Sequence, residues 1–323
     1  MKDLDYAFAV ARIRSLENSL MSNADIERLM ACSDGKRCMQ VLAEKGWGNG
    51  DEDIDLREML RLEVGKTWAV LRDVSPDMSV FDVFSIYRLY HNLKAAIQLL
   101  CTEIKYENIY YEDAVFSGDE LVQVIKEKAF YKLPYNMPKV AEEAYKTMLH
   151  TRDGQLCDVI VDRGAMETMI DLGQKSGVEI IKRYAEFTVG LANVKIALRA
   201  QETGKTLDFM LRALAPCALL DVNRLARAAA TSREAIIDYL RGTAAGDSAD
   251  LIQESSAAFE RWCDNRLIEA IKSEKNKAFT AGPLAAYFVA RQNEIKTVRL
   301  IVTGKQNKFP DEAIQERVRV MYA

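Results

Sequence analysis

Residues 201–206 read QETGKT, the ending of a loop in which backbone amides and a lysine bind phosphate groups. Such a loop needs another glycine five residues before the Gly-Lys pair, where this sequence has Arg199. It also follows a buried strand, whereas helical periodicity precedes Gly204. Thr-Gly-Lys recurs at 303–305. We therefore interpret both triplets as helix ends, with a left-handed glycine and a lysine near the negative helix terminus, and expect Lys205→Ala to leave nucleotide handling unchanged.

Nucleophilic and metal-ligating residues are few and scattered. The six cysteines include no CxxC pair, and the two histidines, His91 and His150, lie far apart in the sequence. No motif supplies a serine or cysteine with a histidine base. Scattered cysteines of this kind are typical of small buried apolar side chains. The sequence predicts no catalytic, cofactor-binding or metal-binding residue, and it leaves the interface residues undefined.

Three charged residues occupy positions where a structural contact is expected. Asp158 and Asp264 each follow a cysteine directly, in LCDVIVD and WCDNRLI, and this recurrence predicts an ion pair or an inward polar contact. Arg291 interrupts an otherwise apolar helical stripe, so it either pairs with a carboxylate inside the fold or faces a partner. The acidic runs DEDID at 51–55 and YYED at 110–113 are typical of solvated surface.

Composition limits the class of protein. The chain has 323 residues, of which 49% are hydrophobic and 28% charged, as in folded soluble proteins of two or three domains. A net charge of −4 argues against a nucleic-acid-binding platform. No window of eighteen apolar residues exists, and the opening MKDLDYAFAV lacks the pattern of a secretory signal, so we expect a cytosolic chain without a transmembrane segment.

Helical periodicity extends along the whole chain. Tyr6, Val10, Ile13, Leu16 and Leu20 recur every three or four residues and form one apolar stripe. Leu56, Leu60, Val64 and Trp68 form another at strict four-residue spacing. No alternating strand pattern competes, so the predicted fold class is all-α. Further helices are predicted over 119–129, 138–150, 177–200, 207–215, 233–241 and 251–273.

Local signals mark where helices begin and end. Pro283 stands where a helix begins, because proline fits the first helical turn but not the interior. Three short helices open with a serine that is expected to act as N-cap. These helices are SDGKRCMQVLAEKGW, SGDELVQVIKEKAF and SREAIIDYLRG, with Ser33, Ser117 and Ser232 as the capping residues.

An internal repeat is visible at a spacing of about a hundred residues. HNLKAAI at 91–97 and ANVKIAL at 192–198 place an asparagine and a lysine at equal offsets, and NEIKTVR at 293–299 repeats the lysine. We infer three related helical units, 1–104, 105–204 and 205–323. Three such units predict a pseudo-threefold arrangement of bundles around a central cavity.

The C-terminal stretch from Pro283 to Tyr322 resembles the C-subunit family of V-type and A-type ATPases and ATP synthases, which is related to the d subunit of eukaryotic V-type ATPases. YAFAVARIRSLE at 6–17 and NLK at 92–94 extend the resemblance over nearly the whole chain. Gln292-Asn293 departs from the acidic or basic residues common there. The matching C-terminal residues are Pro283, Leu284, Tyr287, Arg291, Glu294, Ile295, Arg299 and Glu316-Arg317.

This resemblance implies a non-catalytic rotor protein of the central stalk, without a cofactor and present as one copy per complex. Its three bundles would form a funnel that seats the central shaft subunits on the cytoplasmic loops of the membrane proteolipid ring and so couples them for ion translocation. The chain would then lie peripherally on the cytoplasmic face of the membrane and bind no nucleic acid. The alternative is a general helical-repeat adaptor that never meets a membrane complex.

Overall fold

The predicted all-α class is confirmed in a computed structural model, which describes residues 2–102, 104, 109–112 and 114–323. These residues form α-helices and short 3-10 turns and include no strand. The helices are α1 (Lys2–Glu17), α2 (Asn23–Met30), α3 (Gly35–Glu44), α4 (Leu56–Val74), α5 (Ile86–Thr102), α6 (Gly118–Lys126), α7 (Met137–Thr151), α8 (Gly154–Lys175), α9 (Glu179–Glu202), α10 (Leu207–Ala213), α11 (Val222–Thr231), α12 (Arg233–Arg241), α13 (Ala249–Glu254), α14 (Ser256–Lys272), α15 (Gly282–Gln306) and α16 (Asp311–Gln315).

Most predicted helices are present, and one is divided. The helix predicted over 233–241 has those bounds, and Pro283 lies in the first turn of α15 as expected. The single helix predicted over 251–273 is wrong, because Ser255 is extended and separates α13 from α14. Its side chain accepts a hydrogen bond from the Ala258 amide and caps α14, an alternative to continued helix that serine offers the backbone.

The serine caps are confirmed at two of the three predicted positions. Ser117 forms a complete capping box with Glu120, and Ser232 accepts from the Ala235 amide at the start of α12. Ser33 is not a cap. Asp34 takes that position for α3, because its carboxylate accepts from the Arg37 amide while the Ser33 hydroxyl donates to the same side chain.

The two Thr-Gly-Lys triplets differ in structure. After α9, Gly204 is left-handed with φ of 64°, and the Lys205 amide donates to the Ala200 carbonyl at 2.8 Å, so this triplet ends a helix as predicted. The second interpretation is wrong. Gly304 lies inside α15, and a Cβ on it would stand 2.7 Å from the side chain of Ile314, so this glycine permits α16 to pack closely.

The described residues divide into two compact units, 1–78 with 178–180 and 250–323, and 79–177 with 181–249. Both boundaries predicted from the repeat, after residues 104 and 204, fall inside the second unit, and Lys105 lies outside the described residues. The division into three units therefore stays a prediction.

Helix α15 forms the centre of the first unit. It packs against α1, α2, α3, α4, α14 and α16, and it buries residues all around its circumference. A helix surrounded in this way should be apolar on every face. The exceptions are polar residues that contact specific partners, among them Arg291, Asn293 and Glu294.

The core of the second unit is built by α5, α6, α7 and α8. Gly164 on α8 permits close packing, since a Cβ there would stand 2.6 Å from Val140 on α7. Tyr90 on α5 is fully buried, and its hydroxyl lies 2.7 Å from the Thr168 hydroxyl of α8 and also bonds to Asn136. Buried polar groups of this core thus bond to one another.

Candidate functional site

Arg291 lies at the centre of a buried ionic cluster in the first unit. Its guanidinium donates to Glu63 and to Glu294 at 2.5 Å each, and it stands 5.2 Å from the ring centroid of Trp47. All three ionic residues are at most 7% exposed. The predicted pairing of Arg291 with a carboxylate inside the fold is confirmed, and the alternative, contact with a partner, does not apply.

In both carboxylates of the cluster each oxygen accepts at least one hydrogen bond. The second oxygen of Glu63 accepts from the Gly48 amide at 3.1 Å and the Lys66 ammonium at 2.6 Å, and that of Glu294 accepts from the Met21 amide at 2.6 Å. Burial raises the pKa of Glu294 to about 7, against the opposing effects of Arg291 and the Met21 amide. The cluster joins α15 to α4 and to the segments that precede α2 and α4, so its role is structural.

Glu63 is a residue that sequence reasoning missed. The predicted stripe on α4 contains Leu60, which is buried, but its other members are only half-buried. The fully buried positions include Met59, Glu63, Thr67 and Leu71, which also recur every four residues. An acid in a helical pattern is normally a surface residue. The signal that could have found Glu63 is its position between Met59 and Leu71 on one helical face.

The repeated asparagines of the second unit make the same contact. Asn92 donates to the Tyr111 carbonyl at 2.9 Å and accepts from the Tyr111 amide at 2.8 Å. Asn193 donates to the Ala215 carbonyl at 2.8 Å and accepts from the Ala215 amide at 2.9 Å. Each asparagine is fully buried on a long helix and binds a backbone segment about twenty residues further along the chain.

A third asparagine, Asn293, takes a related place in the first unit. It lies on α15, is 5% exposed, and donates to the Val320 carbonyl at 3.0 Å, again in a downstream non-helical segment. The sequence comparison aligned Lys296 and missed this residue, because it stands 100 positions after Asn193 instead of 101. The recurrence of the contact supports internal repetition.

Asp264 and Asp158 each make a different one of the two contacts that were predicted for them. Asp264 accepts from Arg319 at 2.7 Å and from Lys296 at 3.2 Å, so it forms the predicted ion pair. Burial opposes its negative charge, but the two cations outweigh burial and lower its pKa. Asp158 instead accepts from the Gln98 amide at 3.1 Å, an inward polar contact, and burial raises its pKa.

Lys205 borders a cavity of about 320 Å³ in the second unit. Its ammonium donates to the Gln155 side-chain carbonyl at 2.7 Å and lies 5.3 Å from the ring centroid of Phe209. Arg199, the residue that breaks the phosphate-loop pattern, borders the same cavity. The helix end therefore places both cations at one concave surface, which sequence spacing did not indicate.

The remaining candidates for chemistry are dispersed. His91 has a ring nitrogen 2.9 Å from the Ile109 carbonyl oxygen, while His150 is exposed. All six cysteines are free thiols; burial confirms the packing role of Cys32, Cys38, Cys157 and Cys263, while Cys101 and Cys217 are half-buried. Within the described ranges, no three of His, Cys, Asp and Glu gather as a metal-ligand cluster, and no helix has the length and apolarity needed to cross a bilayer.

The acidic runs lie at the surface where the structure describes them. In the run 51–55 all four acids are exposed. In the run 110–113 Glu112 is exposed, and Asp113 lies outside the described residues. The prediction that the first run is solvated surface is confirmed.

The fold and its buried contacts define an all-helical protein in which charged and amide side chains hold helices and loops together. The family model for the ATP synthase (C/AC39) subunit matches residues 9–317, nearly the whole chain. The chain belongs to this family. The resemblance drawn from the C-terminal stretch and from residues 6–17 and 92–94 is therefore confirmed.

Two curated relatives agree with this assignment. The chain is 23% identical over 278 residues to the C subunit of the V-type sodium ATPase of Enterococcus hirae, a match that covers 84% of each chain. It is 22% identical over 338 residues to the C subunit of the A-type ATP synthase of Methanocaldococcus jannaschii, which covers 95% of this chain and 84% of the relative. The chain is thus similar along most of its length to C subunits of both a V-type ATPase and an A-type ATP synthase.

Proposed function

We propose that this protein is a non-catalytic central-stalk subunit of a V/A-type rotary ATPase. It acts as a socket that couples the central shaft subunits to the cytoplasmic loops of the membrane proteolipid ring, with one copy in each complex. It lies peripherally on the cytoplasmic face of the membrane and takes part in ion translocation by transmitting torque, without binding a nucleotide or another cofactor.

The match of residues 9–317 to the family carries this proposal, because it covers both compact units. Both curated relatives are named as C subunits, one of a V-type sodium ATPase and the other of an A-type ATP synthase. Because the similarity to these relatives extends along most of the chain, it supports the proposal that this protein is a subunit of a complex of the same kind.

The physical character of the first unit supports a mechanical role. A torque-transmitting element must resist deformation, and close-packed protein interiors have low compressibility. The Arg291 cluster joins α15 to α4, and hydrogen bonds from Arg14 to the carbonyls of Glu274 and Lys275 join α1 to the segment before α15. These contacts link elements that are far apart in sequence and so resist their relative displacement.

Affinity purification from membranes tests the assignment. The tag belongs at the N-terminus, because Met321 and Tyr322 at the other end are buried. We expect the soluble ATPase sector and the proteolipid ring to elute with the tagged chain. Recovery of the chain in the soluble fraction alone, without the ring, would contradict the proposal and favour a general helical adaptor.

Reconstitution tests the coupling role. Vesicles containing all other subunits of the complex are expected to hydrolyse ATP in the soluble sector but to show no ATP-driven ion transport until this chain is added. If the isolated soluble sector hydrolysed ATP only when this chain was present, the result would contradict a non-catalytic role.

A further inference from the structure

The cavity beside Lys205 combines basic and apolar side chains in its lining. Lys205 and Arg199 supply the cations, and Val159, Ile196 and Phe209 are among the apolar residues. At about 320 Å³ the cavity has room for a few amino-acid side chains. A ligand that fits it combines an anionic group with an apolar body.

The positive charges of this cavity are not neutralised. Lys205 bonds to the neutral Gln155, and within the part of the chain that the structure describes neither Lys205 nor the exposed Arg199 has a carboxylate at salt-bridge distance. Asp162, which also lines the cavity, pairs with Lys94 at 2.6 Å. An anion that enters the cavity therefore meets two cations that have no carboxylate partner among the described residues.

The second acid of the cavity, Asp158, does not offset these cations fully. It is half-buried and accepts from Gln98, and burial raises its pKa, which reduces the preference for its charged form. Since Asp162 already has a cation of its own, the electrostatic balance of the lining favours an anionic partner near Arg199 and Lys205.

The neighbouring surface indicates an extended partner. A second cavity of about 220 Å³ shares Asp162 with the first, and Tyr87, Arg88 and Tyr111 are among its lining residues. The Arg88 guanidinium lies 5.5 Å from the Tyr111 ring centroid, so this cavity also presents a cation over an aromatic surface. Two adjacent cavities with aromatic and basic linings fit consecutive side chains of a peptide better than one small anion.

We infer that these two cavities form one groove that binds an acidic and apolar segment of a partner protein, with a carboxylate of that segment held between Arg199 and Lys205. The identification of the partner as another component of the same ATPase rests on the proposed function. Recognition of this kind combines burial of apolar side chains with charge-assisted hydrogen bonds at a partly desolvated site.

A competition within cells tests the groove. The wild-type chain and the double variant Arg199→Gln/Lys205→Gln are expressed together with the other ATPase subunits, and their ratio in the purified complex is compared with their ratio in the lysate by quantitative mass spectrometry. Loss of charge-assisted hydrogen bonds to two cations is expected to lower the incorporated ratio by about tenfold or more.

Two further variants serve as controls. Lys126→Gln/Arg227→Gln removes one lysine and one arginine from exposed positions of the same unit that do not line the groove, and it is expected to incorporate like the wild type. The charge-preserving exchange Arg199→Lys/Lys205→Arg is expected to retain most incorporation. Circular dichroism confirms that each purified variant keeps its helical content.

The outcomes separate this inference from the proposed function. Equal incorporation of wild type and Arg199→Gln/Lys205→Gln would overturn the groove while leaving the proposed function intact. Absence of the wild-type chain itself from the complex would overturn the proposed function and, with it, the assigned partner. Loss of incorporation by both the groove variant and the matched control would show a general effect of charge and would also overturn the groove.

Discussion

The Arg291 guanidinium donates to the Glu63 carboxylate at 2.5 Å, although 228 positions separate the two residues. Glu63 is at the middle of α4 and Arg291 is in α15, so a single ion pair joins the N-terminal and C-terminal parts of the first unit. Both side chains are buried, and Glu294 shares the guanidinium. Removal of the cation would leave two carboxylates without their main partner.

Arg291→Gln is expected to destabilise the first unit by about 3–5 kcal/mol, the cost of breaking a buried ion pair from one side. Urea unfolding followed by tryptophan fluorescence measures this, because Trp47, Trp68 and Trp262 all lie in the first unit. Arg28→Gln is the matched control, since it removes an exposed pair with Glu44 and should cost about 0–1 kcal/mol. Equal effects of the two substitutions would contradict a special role for the buried cluster.

Asn193→Ala is expected to weaken the second unit locally. The substitution leaves the buried backbone amide and carbonyl of Ala215 without their partners, at a cost of about 1–3 kcal/mol. Hydrogen exchange read by mass spectrometry should show faster exchange at Ala215. Asn223→Ala removes an exposed amide side chain from the same unit and serves as control. Unchanged protection of Ala215 in Asn193→Ala would show that the side chain does not hold this segment.

The sequence predicted the positions of the repeated asparagines but not their partners. Helical periodicity and an equal offset located Asn92 and Asn193, because both signals depend on regular structure. Their backbone partners lie in irregular segments before α6 and α11, where the sequence has no helical periodicity. Asn293 was missed because a shift of one residue breaks the equal offset, although its side chain also donates to a downstream backbone carbonyl, that of Val320.

The errors at Gly304 and Glu63 have a common physical cause, whereas those at Ser33 and Ser255 come from local helix capping. Gly304 and Gly204 occupy the same position in two identical triplets. Gly304 is required because a side chain of α16 packs against it, whereas Gly204 is required because its backbone is left-handed. Glu63 resembles a surface acid until Arg291 is placed opposite to it. Long-range packing decides such cases, and a single sequence does not contain the pairing of distant helices.

Asp264→Asn is expected to give a pH-dependent loss of stability. Burial opposes the charge of Asp264, but Lys296 and Arg319 outweigh it and lower the pKa below the ordinary value of 3.8. A carboxylate with a lowered folded-state pKa contributes its full stabilisation above the unfolded-state pKa and loses it as the pH falls through the folded-state pKa. The difference in unfolding free energy between wild type and variant should therefore be largest near neutral pH and shrink below pH 3.8.

Tryptophan fluorescence in urea at several pH values measures this difference. Asp73→Asn replaces an exposed aspartate of the same unit and is expected to change the unfolding free energy by less than about 0.5 kcal/mol. A difference between wild type and Asp264→Asn that stayed constant from neutral pH to about pH 3 would contradict the electrostatic origin of the contact.

Replacement of the two glycines of the Thr-Gly-Lys triplets by asparagine should destabilise the protein to different extents. Gly204 is left-handed and a Cβ there meets no atom within 4 Å, so Gly204→Asn should cost only a few tenths of a kcal/mol, because asparagine tolerates this conformation. Gly304 is helical and packed against Ile314, so Gly304→Asn should cost about 1–3 kcal/mol through overpacking. Urea unfolding followed by circular dichroism compares the two.

A double-mutant cycle separates overpacking from helix propensity at Gly304. Alanine favours a helix over glycine, so Gly304→Ala would stabilise α15 if space were available. With Ile314 present, the added Cβ stands 2.7 Å from its side chain and forces α16 to move. Gly304→Ala should therefore destabilise the wild type but stabilise the Ile314→Ala background, which gives a coupling free energy of about 0.5–3 kcal/mol. Additive effects would show that the glycine does not serve the contact with α16.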